Sequence, residues 1–196
     1  YSLSVTDNAS PANCSTTTTA TIIESQPPLF TAEVTTEAFA EDHEILVSDI
    51  TGIGDYELRL DNGPWQDVPA GQDSFTFQDV SAGDHQVTGR DENGCGEFVV
   101  AVGTLGYPEF FTPNEDGYND RWNIEGLSNR ENVKIYIFNR YGKLLKQLSP
   151  DGPGWDGTYN GNKMPSSDYW FNLEYQVQTD STTIRKTLKD NFTLKR

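Results

Sequence analysis

The chain has 196 residues, 14 basic against 30 acidic, with a formal net charge of −16 and a pI near 4.3. That length makes one large or two small domains with real cores, and 12% aromatic residues argue against global disorder. The acidic balance argues against nucleic acid as a partner, because a phosphate-binding surface needs clustered Lys and Arg. No window offers the run of about 18 apolar residues of a membrane helix, nor a basic-then-apolar leader. Beginning at Tyr1, the chain reads as a mature product or a fragment.

The charge is unevenly placed. Residues 1–104 hold two cations, Arg59 and Arg90, against 18 acids, whereas residues 105–196 hold 12 of each. No lysine precedes Lys134. So sharp a break predicts two domains joined near Thr104–Pro108.

Residues 1–28 read as the tail strands of a preceding copy of the first domain. Tyr1–Asp7, a turn, Cys14, a β-prone run to Glu24 and then Pro27 mirror His85–Asp91, a turn, Cys95, a run to Val102 and then Pro108. On this reading the chain belongs to a tandem array. Equivalent cysteines of consecutive repeats lie too far apart for a disulfide, although a folded-back N-terminal hairpin leaves a Cys14–Cys95 pair open.

Residues 29–104 then carry seven short strands over about 75 residues: Phe30–Thr36, Glu44–Ser48, Tyr56–Leu60, Trp65–Val68, Phe75–Gln78, His85–Arg90 and Cys95–Val102. Number and spacing predict an immunoglobulin-like sandwich. Asp61-Asn62-Gly63 and Glu92-Asn93-Gly94 supply turn residues that tolerate positive φ. In residues 105–196, Val133, Ile135 and Ile137 alternate with Lys134, Tyr136 and Phe138. Tyr169–Val177 alternates in the same way, and Thr182–Arg196 forms a last strand. The whole is all-β, two consecutive immunoglobulin-like β-sandwich domains.

Chemistry-bearing motifs are scarce. Two cysteines and two histidines are too few for a disulfide scaffold, a zinc site or most triads, and there is no nucleophile elbow or phosphate-binding loop. His85 reads as a surface imidazole. No pair among the many carboxylates is singled out for acid and base roles, so the expectation is not an enzyme.

The Asn114–Asp120 loop admits two readings. Asn114, Asp116, Asn119 and Asp120 offer closely spaced oxygens around a Gly turn, which suits calcium, but the distal bidentate Glu of an EF-hand is missing. Alternatively these side chains cap their own backbone. Trp155, with Tyr159 in the same turn-rich stretch, serves either as a core anchor or as a partner contact. The last strand carries Arg185, Lys186, Lys189, Lys195 and Arg196, which either keep an edge soluble or give a partner an electrostatic handle.

Two stretches carry family resemblances. Tyr56–Trp65 with Phe75–Cys95, including Leu60-Asp-Asn-Gly63, Ala82-Gly83 and Asp91-Glu-Asn-Gly-Cys95, resembles the repeats of SprB-type adhesins of Bacteroidetes. The mid-repeat cysteine of many such units is missing, and Gly89 stands where a β-branched residue is usual. Five ordered motifs, Phe110–Asp120 with Trp122, Val133–Lys143, Gly154–Gly161, Pro165–Phe171 and Phe192–Arg196, resemble the gliding motility-associated C-terminal domain, the type B sorting domain of the type IX secretion system. Glu115 replaces the usual Gly. The resemblance implies secretion to the bacterial cell surface, recognition by the type IX machinery, and an outer-membrane protein partner of the PorP/SprF type supporting gliding motility or adhesion. The other reading is a carbohydrate-binding accessory module of a secreted enzyme, stacking sugar on Trp65, Trp122, Trp155 or Trp170.

Overall fold

The computed structural model describes residues 2–6, 15–20, 26–52, 55–69, 71–91, 96–128, 130–178 and 182–196. Every regular element among them is a strand, as expected. Cys14, Cys95 and the Glu92-Asn93-Gly94 turn lie outside the described residues.

The first two strands, β1 (Ser2–Thr6) and β2 (Ser15–Thr19), form an antiparallel pair whose described side chains are exposed. Seven strands follow: β3 (Leu29–Val34), β4 (His43–Thr51), β5 (Tyr56–Leu60), β6 (Gln66–Val68), β7 (Phe75–Val80), β8 (Gly83–Asp91) and β9 (Glu97–Thr104). They make two sheets, β3-β4-β7 and β6-β5-β8-β9, the two layers of an immunoglobulin-like sandwich. Alternation sends Ile45, Val47, Leu58, Phe77, Val87 and Val102 into the core between them. The domain's two cations hold down one aromatic ring. Arg59 and Arg90 lie 4.4 and 3.9 Å from the Trp65 ring, and each also pairs with a carboxylate, Glu97 and Glu57 respectively. His85 is bridged between Asp61 and the Ser81 carbonyl, not free at the surface.

The second core is covered by one five-stranded sheet. Its strands are β10 (Phe110–Phe111), β11 (Glu131–Phe138), β12 (Leu144–Leu148), β15 (Ser167–Gln178) and β16 (Thr183–Leu194), in the order β10-β16-β15-β11-β12. The opposing layer is loop, closed by the hairpin β13 (Thr158–Tyr159) with β14 (Asn162–Lys163) and by an antiparallel bridge between Trp122 and Trp155. The Asn139–Lys143 turn joins β11 to β12.

The two cores meet at a joint made by backbone. The Leu105 carbonyl accepts hydrogen bonds from Phe39 N–H at 3.1 Å and from His43 Nε2 at 3.0 Å. A carbonyl only accepts, so Nε2 carries a proton, while Nδ1 bonds the Thr36 hydroxyl at 2.8 Å. His43 is fully buried there. Phe39 reaches across to Tyr107 and Phe171, edge-on at 4.9 and 5.6 Å. Arg130 crosses in the other direction, donating to the Gly103 and Gly126 carbonyls, while Asp84 accepts the Ser128 N–H. Backbone approaches so closely that a Cβ at Gly126, which has φ of 75°, would lie 2.0 Å from the Thr104 oxygen.

Gly126→Ala is therefore expected to destabilise the chain by about 3 kcal/mol or more, through overpacking on an unfavourable φ. His43→Ala, which strips a carbonyl and a hydroxyl of their buried partner, should cost about 2–4 kcal/mol. Denaturant unfolding measures both.

Candidate functional site

The motifs of residues 105–196 converge around the last strand. Phe192 stacks on Trp122 with ring centroids 3.9 Å apart and an interplanar angle of 12°. It also meets Phe111, Trp155, Tyr169 and Phe171 within 6.4 Å. The two tryptophans exchange backbone hydrogen bonds at 2.9 and 2.8 Å, and their indole N–H groups reach the Pro108 and Thr158 carbonyls. Gly154 permits that bridge, because with φ of 80° a Cβ there would stand 2.7 Å from the Trp122 oxygen.

Beyond the stack the chain end is tied down. Arg196 donates from its guanidinium to the carbonyls of Met164, Gly157 and Pro113, and its N–H bonds Ser166 Oγ. One side chain thus joins three loops. The groove beside it, about 480 Å³, is lined by Glu115, Asp120, Arg121, Asp156, Lys163 and Arg196, among others.

The Asn114–Asp120 loop forms, with its side chains turned onto its own backbone. Asp120 accepts the N–H groups of Asn114, Glu115 and Gly117, using both oxygens. Asn114 and Asp116 bond each other, Asp116 also accepts the Tyr118 N–H, and Asn119 gives its carbonyl to Thr112 N–H. This is the Asx-capping arrangement. Among the described residues no group of three or more His, Cys, Asp or Glu is placed to hold a metal ion. The Gly117 N–H above all, with those of Glu115 and Asn114, holds the Asp120 carboxyl below its ordinary range. Burial pushes the Asp156 carboxyl up, but hydrogen bonds from the Thr158 hydroxyl and N–H outweigh it, and the net direction is down.

The predicted partner contacts do not form one patch. Trp155 is 1% exposed, a core anchor rather than a surface contact. Tyr159 is half-buried under Lys143, whose ammonium lies 4.6 Å from the ring. The cations of the last strand are dispersed, since successive side chains of a strand point to opposite faces. Arg185 and Lys189 share a face with Trp170, Lys186 lies opposite Tyr175 on the core side, Lys195 sits over Phe110 at 3.9 Å, and Arg196 is turned inward. Of the four tryptophans, Trp122 is fully buried and Trp65 is clamped between arginines, leaving Trp170 as the open one at 42%.

Residues 105–188 match the family model of the CHU_C type IX secretion signal domain. By that match the second domain is similar to the type IX secretion signal domain. The match covers under half of the chain and says nothing of residues 1–104. Among solved structures the chain is similar to dimeric latent PorU from Porphyromonas gingivalis, at 14% identity and a TM-score of 0.26. That alignment takes in 86% of this chain and 20% of PorU, so the chain spans about a fifth of that relative. No curated protein matches the chain. No helix among the described residues is long and apolar enough to cross a membrane.

A carboxylate whose folded-state pKa is depressed contributes stability above its unfolded value, and that stability is lost as pH falls through the folded value. The melting temperature should therefore drop as pH goes below about 4, and Asp120→Asn with Asp156→Asn should flatten that drop while lowering stability at neutral pH. Separately, Phe192→Ala removes the ring on which the loops stack and should cost about 3–5 kcal/mol, read by denaturant unfolding.

Proposed function

We propose that this chain is the C-terminal part of a Bacteroidetes cell-surface adhesin and has no enzymatic activity. Its second domain is the export signal and also the module that holds the exported protein at the cell surface. There it engages an outer-membrane protein of the PorP/SprF type, in support of gliding motility or adhesion. Residues 29–104 are an SprB-type adhesin repeat, and residues 1–28 the end of a preceding one. The match of residues 105–188 to the secretion signal domain carries this reading. The acidic sandwich before it suits a soluble, extended stalk, because 18 acids face only two cations, both held on Trp65.

The fold sharpens what such a signal consists of. Its last strand supplies Phe192 and Leu194 to the core, and Arg196 just past it bonds the loops. On this reading the signal is a folded surface to which Phe192, Leu194 and Arg196 contribute, not a linear tag.

In cells with a working type IX system, the full chain fused behind a reporter is expected to appear outside the cell. The same fusion ending at Thr187 should be retained. Immunoblotting of medium, surface and periplasmic fractions reads the outcome, and normal export of the truncated fusion would sink the proposal.

A further inference from the structure

Pairing register places an aromatic strip on the side of the β11–β12–β15–β16 sheet that faces away from the core. Leu144, Phe138 and Trp170 stand side by side across β12, β11 and β15, with Tyr136 next along β11. Leu144 is 47% and Trp170 42% exposed, although the neighbouring positions Ile137, Phe171 and Leu173 are closed into the core. Cations border the strip on the same face. Tyr136 is in register with Asn172 and then Lys189, Lys134 with Glu174 and Thr187, and Arg185 with Gln176. Lys134, Arg185 and Lys189 are exposed, and none of them makes an ion pair among the described residues. That contrasts with Arg59 and Arg90 of the first domain, both bound to carboxylates.

Neighbouring aromatic and aliphatic side chains left open on one face, beside cations that make no ion pair among the described residues, form a docking surface with an apolar centre and a charged border. We propose that this face seats the outer-membrane partner, and that the region of the partner that lies on it is an apolar depression rimmed by carboxylates. The proposal rests on the surface-attachment reading given above. A second copy laid face to face is disfavoured as the occupant, because Lys134, Arg185 and Lys189 would meet the same cations across the seam. A uniformly anionic lipid or glycan surface is disfavoured by Glu174, which sits between the cations and would be repelled by it. A folded protein can set a donor opposite that carboxylate, so mixed signs on the face favour a protein.

The test titrates the full chain against the purified PorP/SprF-type barrel in detergent. The wild-type chain should bind, and more weakly as salt rises. Lys134→Glu with Lys189→Glu, and separately Trp170→Ala, should each weaken binding roughly ten-fold or more. Tyr141→Ala, on an 85%-exposed turn residue, should leave it unchanged. Glu174→Lys should also weaken binding, and strengthened binding would overturn the proposal in favour of an anionic surface. Melting curves establish folding, and the exposed lysine pair decides the matter if Trp170→Ala melts early. Wild-type binding with all face variants unaffected would reject this face while leaving the attachment reading intact. Failure of the wild-type chain to bind the barrel would reject both. Two further results would also overturn it: dimers in sedimentation that the lysine variant disrupts, or phosphatidylglycerol vesicles losing the lysine variant while the barrel keeps it.

Discussion

The stack of Phe192 on Trp122 is the contact on which the second domain depends. Trp122 belongs to an irregular layer that has no sheet of its own to order it, apart from short bridges and a two-residue hairpin. Such a layer can cover a core only if a few large side chains fix it, since loop backbone lacks the repeated pairing of a sheet. The fixing is done by two indoles locked backbone to backbone, each with its N–H satisfied by a carbonyl. Phe192 is the element that the sheet pushes between them. It comes from the last strand, so the loop layer, the sheet and the chain end form one cooperative unit.

That dependence explains why the end of the chain is chemically conspicuous yet unavailable. A terminal arginine on a neutral domain has the look of an electrostatic handle, and its charge is in fact directed at three carbonyls of three loops. Charge-assisted bonds of this kind are stronger than neutral ones. They hold the groove walls at the spacing set by a single guanidinium, and the planar fork suits three acceptors better than an ammonium would. On the reading proposed above, the guanidinium itself is spent on the loops, so recognition falls to other surfaces of the domain.

The strands were legible in the sequence because period-two alternation and Gly/Asn turns are local signals, and all seven strands of the first sandwich lie within a few residues of their expected bounds. The capping of Asp120 was also legible as one of two alternatives, since Asx residues around a Gly can close on adjacent N–H groups without outside help. Illegible was whatever depends on register. Five cations over Arg185–Arg196 look like a cluster in one dimension, but alternation divides Arg185, Lys186 and Lys189 between two faces, and Arg196, just past the strand, bonds inward to loop carbonyls. The row of Leu144, Phe138 and Trp170 comes from three strands far apart in sequence, so no window of residues contains it. His43 escaped notice for the same reason: its role is set by the Leu105 carbonyl, 62 residues away.

The joint bears on how the charge imbalance acts. Were residues 104–108 a free linker, the acidic sandwich could swing over the cationic sheet face and mask it, because opposite charges within one chain have a high effective concentration. The Leu105 carbonyl held by two donors, Arg130 across the seam and the edge-on rings of Phe39, Tyr107 and Phe171 remove that freedom. An unpaired basic face can thus persist in a chain of charge −16. The joint removes one way by which the acids of the sandwich could reach that face.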